Sequence, residues 1–150
     1  MRLVIQVVDQ AKVAIENRFF SGIKKGLLVL VGIENSDSEE DIRWLVNKII
    51  NIRIFPDDKG VMNNSVRDID GELLLVSQFT LHASTAKGNR PSYIKAAKPQ
   101  VAKPLFDKFV AQVRDSFGKP IKTGLFGADM IISLTNSGPT TIIIDSKDKK

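Results

Sequence analysis

The sequence of 150 residues contains no cysteine and a single histidine, His82. Without cysteine there is no disulfide framework, no thiol nucleophile and no cysteine-based zinc site. With one histidine, a metal site would need carboxylates for nearly all of its ligands, and a serine–histidine–acid triad would have a single possible base. Nothing in these residues calls for a metal ion or another cofactor, so we expect none.

Long apolar runs and a secretory signal are also missing. No apolar stretch reaches the roughly 18–20 residues that a membrane span requires, and polar residues interrupt the N-terminal segment too early for a signal peptide. The apolar fraction of 43% and the charged fraction of 26% are ordinary for a globular domain and exclude a disordered chain. We expect one domain over residues 1–150, with a frayed charged tail at 146–150, a cytoplasmic location and no membrane partner.

Positive charge is concentrated in one part of the chain. The formal net charge is +5, but residues 87–122 alone carry nine basic side chains and two acidic ones. A basic stretch of this density can bind a phosphate backbone. A solvated lysine face that keeps the protein soluble is an equally good explanation of this feature alone.

Hydrophobic periodicity and turn residues predict the elements of the fold. The predicted elements are a strand pair over residues 3–15, a strand buried on both faces over 26–33, a helix that begins at the Ser-Asp-Ser-Glu sequence of 36–39, strands over 52–55 and 72–81, a hairpin turn at 70–71, a helix from Pro104 to Gly118, and strands over 130–135 and 140–144. Strands in adjacent pairs, interrupted by two main helices, predict an α+β domain with a mainly antiparallel sheet curled into a partial barrel.

Three segments carry side chains that suit a functional site. Alternation along the strand that ends near residue 82 places Gln78, Thr80 and His82 on one face. The segment 87–93 offers two cations and a tyrosine, which suit a phosphate or a terminal base. The Gly138-Pro139 sequence can adopt a cis peptide bond in a tight connection between strands. Each segment also has a simpler explanation: a strand with one solvated face, a flexible loop and an ordinary hairpin turn.

The motifs resemble those of a known family, the D-aminoacyl-tRNA deacylases. The sequence Ser-Gln-Phe-Thr-Leu at 77–81 and the pattern Asn-x-Gly-Pro-x-Thr at 136–141 match the two family signatures in the right order. The segments at 88–93 and 123–130 are also similar to the family, and the resemblance extends over nearly the whole chain. The family consists of homodimeric enzymes that hydrolyse the ester joining a D-amino acid, or glycine mischarged on tRNA(Ala), to the terminal ribose of tRNA.

The resemblance implies roles for particular residues. It places Gln78, Phe79 and Thr80 at the ester carbonyl, where the Phe79 backbone N–H and the Gln78 amide would stabilise negative charge on the carbonyl oxygen. Thr80 has no lysine or second histidine beside it in sequence to act as a base, so we expect it to orient substrate or water. His82 lies outside the signature, and we expect it to be an incidental polar residue.

The resemblance also implies how substrates are selected. It places Asn136, Gly138 and Pro139 of one subunit in a motif whose cis Gly-Pro wall enters the pocket of the neighbouring subunit. An L side chain would collide with that wall, whereas glycine and D side chains would not. The basic segment then has a partner, because phosphate contacts by cationic side chains can hold the acceptor end of tRNA without reading its sequence. The predicted tRNA-binding residues are Lys87, Arg90, Lys95 and Lys98.

One departure from the family pattern affects the Gly-Pro motif. The family commonly has arginine where this chain has Val7, and that arginine is thought to brace the motif through backbone carbonyls. Either another cation, such as Arg2 or Lys12, replaces it, or the motif is held less firmly. Two other functions stay open at this point: an RNA-binding module without turnover, and a hydrolase of the same fold that acts on another mischarged tRNA.

Overall fold

The computed structural model describes residues 1–149 and has an α+β architecture. Its elements in chain order are β1 (Arg2–Ile15), β2 (Arg18–Ile23), β3 (Gly26–Gly32), α1 (Glu39–Asn51), β4 (Phe55–Pro56), β5 (Met62–Asn64), β6 (Glu72–Ser77), α2 (Pro99–Phe117), β7 (Lys122–Thr123) and β8 (Ile131–Asp145). A short 3-10 helix over Phe79–His82 follows β6. The predicted α+β class with two main helices is confirmed.

β1 has hydrogen-bonded partners along both of its edges. Its first half pairs with β3 and its second half with β2, while β8 pairs with nearly its whole length, and all three pairings are antiparallel. β6 then joins β3 in parallel, and β7 joins β6 in parallel. The main sheet is therefore mixed, with the order β2-β1-β3-β6-β7 and β8 on the remaining edge of β1.

The two ends of this strand order meet, which curls the sheet into the predicted partial barrel. The Ser21 hydroxyl of β2 donates a hydrogen bond of 2.6 Å to the Thr123 carbonyl oxygen of β7. Side chains that share the barrel interior form one buried apolar cluster: Val8, Ala11, Val13, Ile23, Leu28, Leu74 and Val76. The curl gives the sheet an interior face, and its other face is left for the helices.

The second and larger core lies between the sheet and the two helices. Alternate residues of β3 and β6, such as Leu27 and Leu73, belong to this core, and their neighbours Leu28 and Leu74 belong to the barrel interior. The prediction that the strand over 26–33 is buried on both faces is thereby confirmed. The predicted apolar face of α2 is also buried, and Gly118 ends the helix in a left-handed conformation with φ of 73°.

Strand boundaries differ from the sequence prediction at both ends of the chain. The predicted strand pair over 3–15 is one continuous strand, because β8 pairs along it without interruption by a turn. The predicted strands over 130–135 and 140–144 are likewise one strand, β8, because the residues on both sides of Gly138-Pro139 pair with β1. The segment between them is a bulge and not a hairpin turn.

Four further predictions in the middle of the chain are wrong in detail. The turn at Asp70 exists, but the strand after it pairs in parallel with β3, so it closes no hairpin. The strand predicted over 72–81 ends at Ser77. Of the strand predicted over 52–55, only Phe55 lies in a strand, the two-residue β4 (Phe55–Pro56) that pairs with β5. α2 begins at Pro99, and Pro104 lies inside it, because either proline fits a first helical turn and the earlier one is used.

The start of α1 is capped, as the acidic, serine-containing sequence predicts, and the cap is the second serine of the 36–39 sequence. Ser38 is the N-cap, and its backbone N–H donates to the Asp41 carboxylate at 2.8 Å. Asp41, three residues after the N-cap, therefore completes a capping box with Ser38. None of the helices within residues 1–149 combines the length and the apolar character that a membrane crossing requires.

Asp41 also holds the end of the chain. Lys147 donates to the Asp41 carboxylate at 2.8 Å, and Ser146, which the sequence analysis assigned to the frayed tail, is buried. Burial raises the pKa of the Asp41 carboxyl, but hydrogen bonds from Lys147, Ser146 and Ser38 outweigh it, so the pKa lies well below its usual value. The last residue of the predicted tail, Lys150, lies outside the described residues.

We predict that Asp41→Asn lowers the free energy of unfolding at pH 7 by about 2 kcal/mol, since it removes a buried carboxylate that accepts hydrogen bonds from Lys147 and two serines. A carboxyl whose folded pKa is depressed contributes stability above its unfolded pKa and loses that contribution as the pH falls. The difference between wild type and variant should therefore shrink below about pH 4. Urea denaturation at several pH values measures it, with exposed Asp58→Asn as the control. A difference that is equal at pH 7 and pH 2.5 would contradict this account.

Candidate active site

The signature sequence at 77–81 lies where β6 ends and the chain folds over β3. The Gln78 N–H donates to the Val31 carbonyl oxygen at 2.7 Å, and the chain then turns into the 3-10 helix. The strand alternation predicted for Gln78, Thr80 and His82 is therefore wrong. The reason is a close approach: a Cβ atom on Gly32 would lie 2.9 Å from the Leu81 Cβ atom, so the segment crosses directly over this glycine.

The 3-10 helix brings Gln78 and Thr80 into contact and leaves His82 buried apart from them. The Gln78 side-chain amide donates a hydrogen bond to the Thr80 hydroxyl oxygen. Neither Thr80 nor His82 is among the residues that line the neighbouring cavity, but Thr80 contacts Gln78, which lines it. His82 is 4% exposed, and its Nε2 atom has no hydrogen-bond partner within residues 1–149. The expectation that His82 stays outside the reacting group of residues agrees with this position.

The same helix start leaves backbone donors unused. The first hydrogen bond of the helix is donated by the Leu81 N–H to the Gln78 carbonyl oxygen, at 3.3 Å. The N–H groups of Phe79 and Thr80 precede it and have no acceptor inside the helix. Phe79 is 56% exposed, so this residue lies at the surface. The segment thus offers N–H donors at the place where the resemblance puts the ester carbonyl.

A cavity of about 570 Å³ opens beside this segment. Its walls are the end of β6, the start of α2 and the chain that precedes β8. The side chains at its mouth include Phe79 and Tyr93, whose rings meet edge to face with centroids 5.1 Å apart. Most of the lining is apolar, and the charged residues in it are Lys98 and Asp129. An apolar cavity with a few polar groups at one end is typical of a small-molecule site.

The third wall of the cavity is formed by residues that were not predicted to be functional. Phe126, Asp129 and Met130 line it, although the pattern at 123–130 had been noted as similar to the family without a role for these residues. Gly127, with φ of 79°, and a hydrogen bond from the Ala128 N–H to the Leu125 carbonyl oxygen form a turn there. The glycines flanking this short apolar segment are the signal in the sequence that could have indicated a turn beside a site.

The Gly138-Pro139 motif forms a bulge in β8. Thr141 pairs with Gln6 and Asn136 with Val8, so four residues of β8, Ser137–Thr140, stand opposite the single residue Val7. The Gly138-Pro139 peptide bond is cis. Both residues are exposed, and neither lines the cavity described above. The bulge of one chain therefore lies outside the cavity of the same chain.

Asn136 holds this bulge where Val7 has no side-chain donor. Its amide donates to the Val7 carbonyl oxygen at 2.9 Å, which ties the bulge to β1, and to the Thr140 carbonyl oxygen at 3.0 Å, which joins the two ends of the bulge. Arg2, which the sequence analysis considered as a replacement, instead donates to Asp145 and to the Leu81 carbonyl oxygen.

Three of the nine basic residues of the 87–122 segment, on α2 and just after its C-terminal end, are paired with acids: Lys103 with Asp107, Lys108 with Glu39, and Lys119 with Asp70. The four predicted tRNA-binding residues, all exposed, form no ion pair with any residue of 1–149: Lys87, Arg90, Lys95 and Lys98. These unpaired cations lie on one loop that ends at the cavity.

No cluster of three or more histidine, cysteine, aspartate or glutamate side chains that could hold a metal ion occurs between residues 1 and 149. The chemistry available at the cavity is therefore that of backbone N–H donors, an amide, a hydroxyl and a mostly apolar wall. Such a set suits stabilisation of a developing oxyanion more than metal or nucleophilic catalysis.

Comparison with known proteins places the chain in a class of hydrolases, the tRNA deacylases. The family model described as D-Tyr-tRNA(Tyr) deacylase matches residues 4–145, and the chain belongs to that family. It is 61% identical to the D-aminoacyl-tRNA deacylase of Flavobacterium psychrophilum and 57% identical to that of Bacteroides thetaiotaomicron, in each case over 150 residues and the full length of both chains.

Solved structures show the same fold. The structure titled c-Myc DNA Unwinding Element Binding Protein has a TM-score of 0.92 and 37% identity, with 97% of this chain and 98% of that chain covered. A probable eukaryotic D-amino acid tRNA deacylase has a TM-score of 0.81 over 95% of this chain and 97% of that chain. At 20% identity, the second likeness supports the fold alone.

We predict that Gly32→Ala displaces the Gln78–His82 segment, because the added methyl group would meet Leu81 and the Gln78 carbonyl oxygen. Overpacking of this kind costs about 1–3 kcal/mol of stability, and a displacement near 1 Å can lower a rate by roughly 100-fold. Thermal denaturation and hydrolysis of D-tyrosyl-tRNA, the reaction after which the family is named, measure the two effects.

Gly71→Ala is the matched control for this variant. Its added Cβ atom would lie 3.0 Å from side-chain atoms of Val66 and Ile69 and 3.2 Å from the Val66 carbonyl oxygen, a similarly tight approach before β6, away from Gln78. It should lose stability but keep the catalytic rate of the folded protein. Equal losses of rate in the two variants would contradict a specific role of Gly32 under the signature segment.

Proposed function

We propose that the protein hydrolyses the ester bond between a D-amino acid and the terminal ribose of tRNA, releasing free D-amino acid and tRNA. The observation that carries this proposal is the position of Gln78 and Phe79 in the lining of a mostly apolar cavity, with Thr80 hydrogen-bonded to Gln78 and with the N–H groups of Phe79 and Thr80 free of any backbone acceptor within residues 1–149. Membership of the deacylase family supports the same reaction.

The N–H donors accelerate the reaction by stabilising negative charge on the ester carbonyl oxygen. Attack of water on the ester carbonyl places negative charge on the carbonyl oxygen, and fixed N–H groups aimed at that oxygen lower the barrier. The Phe79 N–H is the first donor, and the Gln78 amide is the second. Collapse of the intermediate breaks the bond to the ribose oxygen, which leaves with the proton that the attacking water gave up.

Thr80 orients the substrate or the water in this scheme. Its hydroxyl oxygen accepts a hydrogen bond from Gln78, and a nucleophilic threonine would need a base within hydrogen-bond reach. His82, the single histidine of the sequence, is buried and does not line the cavity. The ester itself is activated, and the adjacent ribose 2′-hydroxyl can assist the water, so the RNA supplies part of the catalysis.

Chiral selection comes from a second copy of the chain. In the proposed homodimer the Gly138-Pro139 wall of one subunit, held by Asn136, enters the cavity of the other and collides with L side chains. The position of this bulge outside its own cavity supports the arrangement. Apolar side chains exposed along β2 and β8 support a pairing surface: Phe19, Ile131, Leu134 and Ile143.

The unpaired cations of the 87–98 loop bind the acceptor end of tRNA. Lys98 lines the cavity, and the other three cations continue outward along the loop, so phosphates leading to the terminal ribose can lie over them. Glycine has no side chain for the wall to exclude, so glycyl-tRNA mischarged on tRNA(Ala) is a second substrate. Both substrates belong to translation, which places the reaction in the cytoplasm.

We predict that the protein, at a concentration far below that of substrate, releases many equivalents of D-tyrosine from D-tyrosyl-tRNA, and that L-tyrosyl-tRNA is cleaved at least about 100-fold more slowly because the wall excludes its side chain. Release of labelled amino acid over time measures both rates. Equal rates for the two esters would contradict the chiral wall. Stoichiometric binding of tRNA without turnover would indicate an RNA-binding module instead of an enzyme.

We predict that Arg90→Gln together with Lys95→Gln weakens tRNA binding and reduces the dependence of log K on log salt by roughly 0.7–0.9 for each phosphate that is no longer neutralised. Titrations of tRNA at several salt concentrations measure the slope. The double variant Lys103→Gln and Lys108→Gln removes the same charge from cations that are already paired, so its slope should stay near that of wild type. Equal slopes in the two double variants would contradict a specific binding loop.

A further inference from the structure

We propose that Arg2 is a positioning residue for the deacylase reaction: its guanidinium holds the 3-10 helix at Leu81 and thereby fixes the direction of the N–H groups of Phe79 and Thr80. This inference rests on the proposed function and goes beyond it, since it assigns a residue that acts on the rate through the Gln78–His82 segment. Arg2 itself does not line the cavity.

Arg2 occupies the middle of one three-strand row of the sheet. On β1 it pairs with Gly32 of β3 on one side and with Asp145 of β8 on the other. Side chains of directly opposite residues on antiparallel strands share a face. The side chains of Arg2 and Asp145 therefore lie on the face on which a Cβ atom of Gly32 would meet Leu81. This places Arg2 between β8 and the Gln78–His82 segment, within reach of both.

The guanidinium of Arg2 has two different partners. Its Nε and Nη2 atoms lie 3.0 and 2.9 Å from the Asp145 Oδ2 atom, and its Nη1 atom donates to the Leu81 carbonyl oxygen at 2.8 Å. Asp145 is itself held, since its Oδ1 atom accepts the Lys147 N–H at 3.0 Å. Because a guanidinium is a rigid plane, fixing two of its nitrogens on a carboxylate also fixes the direction of the third.

The Leu81 carbonyl group needs a donor from outside the 3-10 helix. Within such a helix it would accept the N–H of the residue three positions later. That group, the Ser84 N–H, donates instead to the Ser92 carbonyl oxygen at 2.8 Å. Arg2 supplies a charged donor in its place, and hydrogen bonds with an ionised partner are the stronger kind. The end of the helix is thus anchored to β1.

This anchor fixes the donors that precede it. The 3-10 helix has four residues, so Phe79 and Thr80 belong to the same short turn as Leu81. The hydrogen bond that opens the turn, from the Leu81 N–H to the Gln78 carbonyl oxygen, is long at 3.3 Å. Donors that stabilise a developing oxyanion must already point at its position when the reaction begins. Without Arg2 the turn would be held less firmly, and the donors would be less well aimed.

The test separates kcat from KM, because an interaction that matters only in the transition state changes kcat. We expect Arg2→Gln to lower kcat for D-tyrosyl-tRNA about tenfold, less than the roughly 100-fold that a 1 Å misplacement can cost, and to change KM less than about twofold. Arg2→Lys keeps the charge but lacks the planar fork, so its kcat should stay at least about threefold below that of wild type.

Arg67→Gln is the matched control. Arg67 also donates to a backbone carbonyl oxygen at the end of a helix, that of Ser116 at 2.6 Å, but at the end of α2 opposite to the one that lines the cavity. This variant should change neither kcat nor KM. A loss of kcat in Arg67→Gln equal to that in Arg2→Gln would overturn a specific role of Arg2.

Asp145→Asn tests whether the two side chains act as one unit. It should lower kcat about threefold, because the neutral amide holds the guanidinium less firmly. The double variant Arg2→Gln and Asp145→Asn should be no slower than Arg2→Gln alone, since residues that act through each other are not additive. Losses of kcat that multiply in the double variant would overturn the proposed chain of contacts.

NMR spectra of isotope-labelled protein show the contact without turnover. The carbonyl carbon resonance of Leu81 and the amide resonances of Phe79 and Thr80 should move in Arg2→Gln and stay in place in Arg67→Gln. Unmoved resonances in Arg2→Gln would overturn the proposal.

Two kinetic results would also overturn it. A higher KM with unchanged kcat would make Arg2 a tRNA-binding cation, and a lower melting temperature with unchanged kcat and KM would make it a purely structural residue. Failure of the wild type to cleave D-tyrosyl-tRNA would instead overturn the proposed function, and the NMR comparison would still decide whether Arg2 holds the segment.

Discussion

Backbone pairing along both edges of β1 is the constraint on which both parts of the site depend. On one edge, β1 fixes β3, and β3 fixes β6 and the Gln78–His82 segment that crosses Gly32. On the other edge, the ladder with β8 sets where the extra residues of the Gly138-Pro139 bulge are accommodated. Because one strand carries both ladders, the donors of the 3-10 helix and the exposed bulge are held in a fixed relation within each chain.

The sequence predicts the layers of the fold better than the course of its strands. The buried strand over 26–33 and the apolar face of α2 can be predicted from the sequence, because the spacing of apolar residues follows the geometry of the strand or helix that carries them. The end of β6 does not, since it depends on how close the chain can approach Gly32, a contact between residues more than forty positions apart. The sequence does not predict that β8 continues through Pro139 for the same reason: the continuity is visible only in the pairing with β1.

The candidate site divides in the same way. The two signatures identify Gln78, Thr80 and Gly138 by their order in the chain, and the fold places the first two beside a cavity. The third wall of that cavity, with Asp129, comes from a segment whose composition is ordinary. Two further features cannot be read from the sequence. Asn136 ties the bulge to β1 where Val7 has no side-chain donor, and acids pair with Lys103 and Lys108 of α2, whereas the four cations of the loop form no ion pair within residues 1–149.

The exposed position of Gly138 and Pro139 has a consequence for how defects would spread in an assembly. On the proposed arrangement, a chain with a damaged bulge keeps its own cavity intact and deprives its neighbour of selectivity. A mixed pair would then hold one discriminating and one permissive centre. Each subunit would owe its selectivity to its partner. In a mixture of intact and damaged chains, the number of selective sites would therefore depend on which chains pair with each other.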